Sequence, residues 1–134
     1  MAALVNIEGI GEAFADRLAE AKIGTTQTLL KRGATRKGRR EIAKLAGVTT
    51  KRLLSWVHKA DLFRIRGVGE EYSDLLEVSG VDTVAELAQR KADHLHDKML
   101  DVNAKRNLVR RVPPLSLVEG WITQAKQLPR VIEY

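Results

Sequence analysis

The basic side chains between residues 31 and 52 are dense enough to bind an anionic ligand. They are Lys31, Arg32, Arg36, Lys37, Arg39, Arg40, Lys44, Lys51 and Arg52, and Glu41 is the single acid among them. Lysine and arginine at this density create a positive field that attracts phosphate groups. A solvated helix face explains many such charge runs equally well. The segment therefore indicates either a nucleic-acid surface or an ordinary exposed helix.

Two glycine turns offer a second way to hold a phosphate. The sequence Ile7-Glu8-Gly9-Ile10-Gly11 recurs as Ile65-Arg66-Gly67-Val68-Gly69, and each copy precedes a segment with a helical pattern. Two glycines around one apolar residue let the chain reverse tightly, bury that residue and leave main-chain N–H groups at a helix start. The turn is also used simply to connect helices, with its central apolar residue in the core.

The neighbours of the two turns differ in charge. Arg64 and Arg66 flank the second turn, whereas Glu8 lies within the first. Acids follow both turns, namely Glu12 in the first copy and Glu70 and Glu71 in the second. Carboxylates at a helix N-terminus interact with the helix dipole themselves and repel an approaching phosphate. We therefore expect phosphate binding at the second turn more than at the first.

Charge and composition narrow the class of protein. Residues 1–62 hold twelve Lys/Arg against six Asp/Glu, and residues 63–134 hold eleven of each, so the net charge of +6 belongs to the first half. Hydrophobic residues make up 44% of the chain, which is enough for a folded core. With no cysteine, the chain has no disulfide or cysteine-ligated zinc. No stretch has the length of a membrane span or the pattern of a signal peptide, so we expect a cytoplasmic protein without membrane contact.

Catalytic and metal-binding patterns are weak. The segment Asp93-His94-Leu95-His96-Asp97 contains possible metal ligands, but residues two apart diverge on a helix, so His94 and His96 do not share a face. No nucleophile triad or phosphate-binding loop stands out. The sequence therefore predicts no catalytic residue, no metal, no cofactor and no enzymatic activity.

The sequence pattern predicts that all of these residues lie on helices or in the turns between them. Apolar residues recur at helical spacing, and Thr25, Thr35, Thr49, Thr83, Asn103 and Ser116 precede such stretches as candidate N-caps. The pattern predicts helices over 12–22, 26–33, 36–46, 50–62, 70–79, 84–91, 93–111 with a break near Asn103, and 116–128.

The two halves match each other over their length. At an offset of 58, Glu12 matches Glu70 and Thr25 matches Thr83, while Trp56 matches Trp121 at an offset of 65. The second copy has thus gained about 7 residues, which we place between 97 and 114. A tryptophan can stack on a base, but the aliphatic spacing around both favours core packing. We predict repeats over 1–62 and 63–134 that share one globular unit.

These residues resemble the helix-hairpin-helix motif of DNA repair, recombination and replication proteins. Gly9-Ile10-Gly11 through Leu29 and Gly67-Val68-Gly69 through Leu87 carry the resemblance. Nearly the whole chain is also similar to the bacterial family catalogued as domain of unknown function 4332, which has no established activity. The segments that carry this similarity are Gly38–Ala43, Asp61–Ile65, Leu108–Pro113 and Ala125–Pro129. The resemblance implies an all-α fold of duplicated helix-hairpin-helix units packed as one compact helical domain.

In DNA-binding members of the motif, the hairpin N–H groups hold a phosphate without reading bases. The six residues before Ile7 are fewer than the motif's leading helix needs, so we expect an incomplete first hairpin. The resemblance and the charge together imply a nucleic-acid-binding module, with DNA favoured and no sequence preference. Its predicted contacts are Arg64, Arg66, Gly67, Val68, Gly69, Gly9, Ile10, Gly11, Arg36, Lys37, Arg39, Arg40 and Lys44.

A second hypothesis belongs to a different class. The acids beside both turns and the neutral second half are also typical of a protein-interaction or scaffold module without a nucleic-acid role. Such a module would dock an acidic protein partner or another copy of itself. The sequence leaves the oligomeric state open.

Overall fold

Eight α-helices account for most of the chain in the computed structural model, which describes residues 3–134. They are α1 (Glu12–Glu20), α2 (Thr26–Arg32), α3 (Arg36–Ala46), α4 (Thr50–Leu62), α5 (Glu70–Val78), α6 (Val84–Ala88), α7 (Ala92–Arg106) and α8 (Leu115–Gln127). The described range contains no β-strand beyond an isolated bridge between Ala3 and Thr25. The predicted all-α fold is therefore confirmed. None of the described helices is long and apolar enough to cross a bilayer.

Threonine side chains cap the N-termini of four of these helices, as their position in the sequence predicts. Thr25, Thr35, Thr49 and Thr83 each accept a hydrogen bond from the backbone N–H three residues later, at 3.0–3.2 Å. Each bond satisfies one of the N–H groups that a helix start leaves without an intrahelical acceptor. The basic segment therefore lies on three capped helices: the last turn of α2, the length of α3 and the first turn of α4.

The end of α7 differs from the prediction. The helix is continuous through Asn103 and ends at Arg106, so the predicted break and the predicted cap at Asn103 are both wrong. The Asn103 side chain instead accepts from the N–H of Val109 at 2.9 Å and donates to its carbonyl at 3.0 Å. Asn107 stops the helix in a left-handed conformation, with φ at +51°. The predicted cap at Ser116 is also wrong, because α8 begins one residue earlier, after Pro114.

The helices group into two compact units. Unit 1 runs to Phe63 and includes Val131–Tyr134, and unit 2 comprises Arg64–Arg130. In unit 1, α1 packs on α3, while α2 and α3 pack on α4; in unit 2, α5 packs on α7, while α6 and α7 pack on α8. The order of helix packing is therefore the same in both. Their assignment as helix-hairpin-helix repeats stays a prediction.

Both tryptophans lie in the core, as their aliphatic spacing predicts. Trp56 and Trp121 are 2% and 1% exposed. Trp56 packs against Phe14 in unit 1 with ring centroids 5.3 Å apart, and Trp121 packs against Tyr72 in unit 2 at 5.4 Å. Tilted pairs at this distance are favourable because a ring edge approaches the face of its neighbour. Phe14 and Tyr72 are again 58 residues apart.

Candidate functional site

The two glycine turns have the same backbone geometry. Gly9 and Gly67 have φ values of +93° and +95°. The central residues Ile10 and Val68 are 3% and 6% exposed, and each donates its N–H to the carbonyl three residues earlier at 3.1 Å. Burial of the apolar residue anchors each turn while the glycines remain at the surface. The structure thus brings all six predicted turn residues into the predicted tight reversals.

Each turn leads directly into a helix that has no side-chain cap. Gly11 is the residue before α1 and Gly69 the residue before α5, and neither position has a side-chain hydrogen bond to the first helical turn. Main-chain N–H groups at such a start are open to an external anion. Glu12 in α1 and Glu70 with Glu71 in α5 place carboxylates in the same first turns.

The buried tryptophans lie directly beneath the turns. A Cβ atom added to Gly9 would lie 3.1 Å from Nε1 of Trp56, and one added to Gly67 would lie 3.1 Å from Nε1 of Trp121. The first glycine of each turn is therefore required both by its positive φ and by the indole below it. Sequence alignment of the halves gives the equivalence of these residues but not their contact.

The second residue of each turn is held by the matching position of α4 or α8, with different chemistry. In unit 1, the Lys59 ammonium lies 3.6 Å from the Glu8 carboxylate. In unit 2, Gln124 accepts from the N–H of Arg66 at 2.9 Å and donates to its carbonyl at 3.2 Å. The Arg66 side chain is exposed and has no hydrogen bond or ion pair within the described chain. Unit 2 thus presents a free cation at its turn, whereas unit 1 places an ion pair there.

The other arginine beside the second turn has a structural partner. Arg64 is half-buried, and its Nη1 donates to the carbonyl of Pro129 at 3.0 Å. Of the two predicted arginines, Arg66 is therefore the better placed to reach a ligand.

Four predicted cations form an exposed face on α3. They are Arg36, Lys37, Arg40 and Lys44, and none has an ion-pair partner among residues 3–134. Three of them recur at intervals of four residues, which aligns them along one side of the helix. We call these four residues the α3 basic face. It is a positive surface that the described chain does not neutralise.

Arg39 differs from its neighbours because it is 5% exposed. Its Nη1 donates to the carbonyls of Gly33 and Ala34 at 2.9 and 3.0 Å, and its Nη2 donates to the carbonyl of Glu133 at 2.6 Å. The guanidinium also lies 5.8 Å from the ring centroid of Tyr134. Burial lowers the pKa of Arg39 from its usual value, against an opposing effect of Tyr134. Arg39 thus holds Glu133 and its neighbours to the rest of unit 1. The guanidinium N–H groups that make these bonds are the ones that would otherwise bind a phosphate.

Two further arginines of the basic segment are also engaged by the protein. Arg32 donates to the carbonyl of Ala21. Arg52 covers the ring of Phe14 at 4.9 Å and approaches the carbonyl of Gly9 at 3.5 Å. Charge density in the sequence therefore overstates the number of cations that are available.

A groove opens in unit 1 between α3 and the first turns of α4. Its volume is about 480 Å³, and its lining residues are Arg36, Arg39, Arg40, Thr50, Lys51, Leu54 and Tyr134. Four of the seven are basic and none is acidic. Sequence reasoning missed Tyr134, whose separation from α3 by more than 85 residues leaves no local signal.

The histidine segment brings together no metal site in the part of the chain that is described. His94 is exposed, and Nε2 of half-buried His96 lies 3.0 Å from the carbonyl of Pro113. Residues 3–134 contain no group of three or more His, Cys, Asp or Glu side chains that could hold a metal ion.

The fold and these surfaces define an all-helical protein of two similarly packed units, one of which is strongly basic. The chain belongs to the family described as domain of unknown function (DUF4332), whose model matches residues 8–128. No curated protein and no solved structure matches the chain.

Proposed function

We propose that this protein is a nucleic-acid-binding module that contacts the phosphate backbone without reading sequence, with DNA as its favoured ligand. The α3 basic face is the observation that carries the proposal. It presents four exposed cations without ion-pair partners in the described chain, and the nearby Lys51 is exposed as well. Cations that are not neutralised by the protein release counterions from DNA when they bind its phosphates, which supplies affinity independent of sequence.

The second turn supports the proposal as a positioning contact. Its exposed Arg66, its left-handed Gly67 and the uncapped start of α5 are the features that a helix-hairpin-helix phosphate site uses. Glu70 and Glu71 lie in the same helical turn and oppose a phosphate there. We therefore assign most of the affinity to the α3 basic face and a smaller share to this turn.

Salt-dependent binding of labelled duplex DNA tests the proposal. The variant Arg36→Gln, Lys37→Gln, Arg40→Gln, Lys44→Gln removes the α3 basic face with a residue that favours helices. The slope of log affinity against log salt should become shallower by up to about 3.6, that is, by about 0.9 for each phosphate that the variant no longer neutralises.

A matched control removes four exposed cations from unit 2 with the same change in net charge. It replaces Lys105, Arg106, Arg110 and Arg111 by glutamine. We expect its salt slope to change by less than about 1, because these residues lie outside the proposed contact. Equal effects of the two variants would show that net charge alone drives binding, and absence of binding at low salt would refute the proposal.

An interaction module is the second candidate, and exposed leucines in unit 2 favour it. Leu100 on α7 and Leu115 and Leu117 on α8 are 46%, 38% and 39% exposed. Large apolar side chains at the surface suit protein contact. This candidate would be supported if the purified protein bound no DNA and eluted as a dimer in size-exclusion chromatography. The variant Leu100→Ser, Leu117→Ser should then elute as a monomer.

A further inference from the structure

The groove of unit 1 combines cations with an aromatic ring, which the α3 basic face alone does not. Arg36 and Arg40 line it from α3, Lys51 from α4, and Leu54 and Tyr134 add apolar surface. Its volume of about 480 Å³ is within the range of sites that enclose a small molecule. This lining suits a ligand that carries negative charge and a flat apolar group together.

Tyr134 is held in place by contacts that leave much of the residue exposed. Its hydroxyl lies 2.9 Å from Nε2 of His58, and the Arg39 guanidinium lies near its ring. Ile132 is 3% exposed in the unit 1 core, and the N–H of Glu133 donates to Ala34 at 2.7 Å. Yet Tyr134 is 64% exposed. The ring is therefore positioned by its backbone and by two side chains, while most of the residue remains accessible.

We propose that this groove binds single-stranded nucleic acid, with an unpaired base stacked on Tyr134 and the adjoining phosphates beside Arg36, Arg40 and Lys51. An aromatic platform next to a positive groove binds single strands because every base has a stacking face, whereas bases in a duplex already stack on each other. This inference rests on the proposed function and adds a preference for strands with accessible bases. Arg39 acts here as a positioning residue, since its guanidinium is already bound to carbonyls.

Fluorescence anisotropy with labelled oligothymidylate and a labelled duplex of equal length tests the inference on the full chain. Tyr134→Ala should weaken binding of the single strand by roughly 5- to 160-fold, the range found for loss of one stacked base, and leave duplex binding unchanged. Tyr134→Phe keeps the ring and removes only the hydroxyl next to His58, so we expect a smaller loss of single-strand affinity than in Tyr134→Ala.

The contribution of Arg36, Arg40 and Lys51 is tested by a separate measurement, the salt dependence of single-strand binding. The variant Arg36→Gln, Arg40→Gln, Lys51→Gln should reduce the salt slope for the single strand by about 2, at about 0.7 for each phosphate bound. If this variant weakens binding while Tyr134→Ala has no effect, the stacking site is refuted and the proposed function stands. If thymidine monophosphate binds as tightly as the oligonucleotide, the assignment to a strand is overturned. Absence of binding to both nucleic acids refutes the proposed function and this inference with it.

Discussion

Replacing Gly67 by alanine should lower the free energy of unfolding by about 1 to 3 kcal/mol. Backbone strain of this size is expected for a residue with a side chain at the φ of +95° that Gly67 adopts. The new Cβ would also lie 3.1 Å from Nε1 of Trp121, which is 1% exposed and has little room to withdraw. Gly9→Ala should cost a similar amount in unit 1, because its φ is +93° and its Cβ would lie equally close to Trp56.

Gly69→Ala is the matched control in the same turn. Its φ of −116° is open to any residue, and a Cβ there meets no atom within 4 Å. We expect it to cost less than about 1 kcal/mol, through the weaker N-cap preference of alanine. Urea unfolding followed by far-ultraviolet circular dichroism gives the comparison, with an unchanged m-value showing that stability alone has changed. Equal destabilisation by Gly67→Ala and Gly69→Ala would refute the role assigned to the positive φ and to the indole.

Two further predictions concern unit 1. Arg39→Ala should release the segment 131–134 and lower the free energy of unfolding by about 2 to 4 kcal/mol, because three carbonyls lose a charged donor; Arg39→Lys should restore only part of this, since an ammonium lacks the planar fork. Hydrogen exchange at the Glu133 amide measures the release, and unchanged exchange in Arg39→Ala would contradict it. Lys22→Gly should raise the free energy of unfolding by about 0.5 to 1 kcal/mol, because Lys22 has φ at +65° where the matching residue of unit 2 is Gly80. Thermal denaturation tests this change, and a lower midpoint would count against it.

Features determined by a few consecutive residues could be predicted from the sequence. A threonine before an apolar helical pattern is sufficient to place the starts of α2, α3, α4 and α6, because its hydroxyl satisfies an N–H only three residues away. The end of α7 could not be placed in this way, because an asparagine typical of a cap can also bind backbone beyond the helix, as Asn103 does with Val109.

The role of Arg39 shows why part of the candidate site could not be predicted. Its residue type and its basic neighbours indicate exposure, yet it lies three, four and seven residues before Ile42, Ala43 and Ala46, all buried on the same face of α3. Helical phase therefore predicts the burial of Arg39, but not the carbonyl groups that its guanidinium binds. Its acceptor on Glu133 lies 94 positions away, and no periodicity indicates such a contact.

The two turns show how one backbone geometry can support different chemistry. Lys59 and Gln124 occupy the same place relative to their turns, but Lys59 pairs with a carboxylate at 3.6 Å while Gln124 binds only backbone atoms. In unit 1, Lys59 of α4 thus pairs with the acid of the turn, whereas unit 2 leaves the charge of Arg66 exposed. On the proposed function, unit 1 binds phosphate through the α3 basic face and unit 2 through its turn. Gln124→Ala should therefore weaken DNA binding by loosening the backbone at Arg66, whereas Lys59→Gln should leave it unchanged, because neither Lys59 nor Glu8 belongs to the proposed contact.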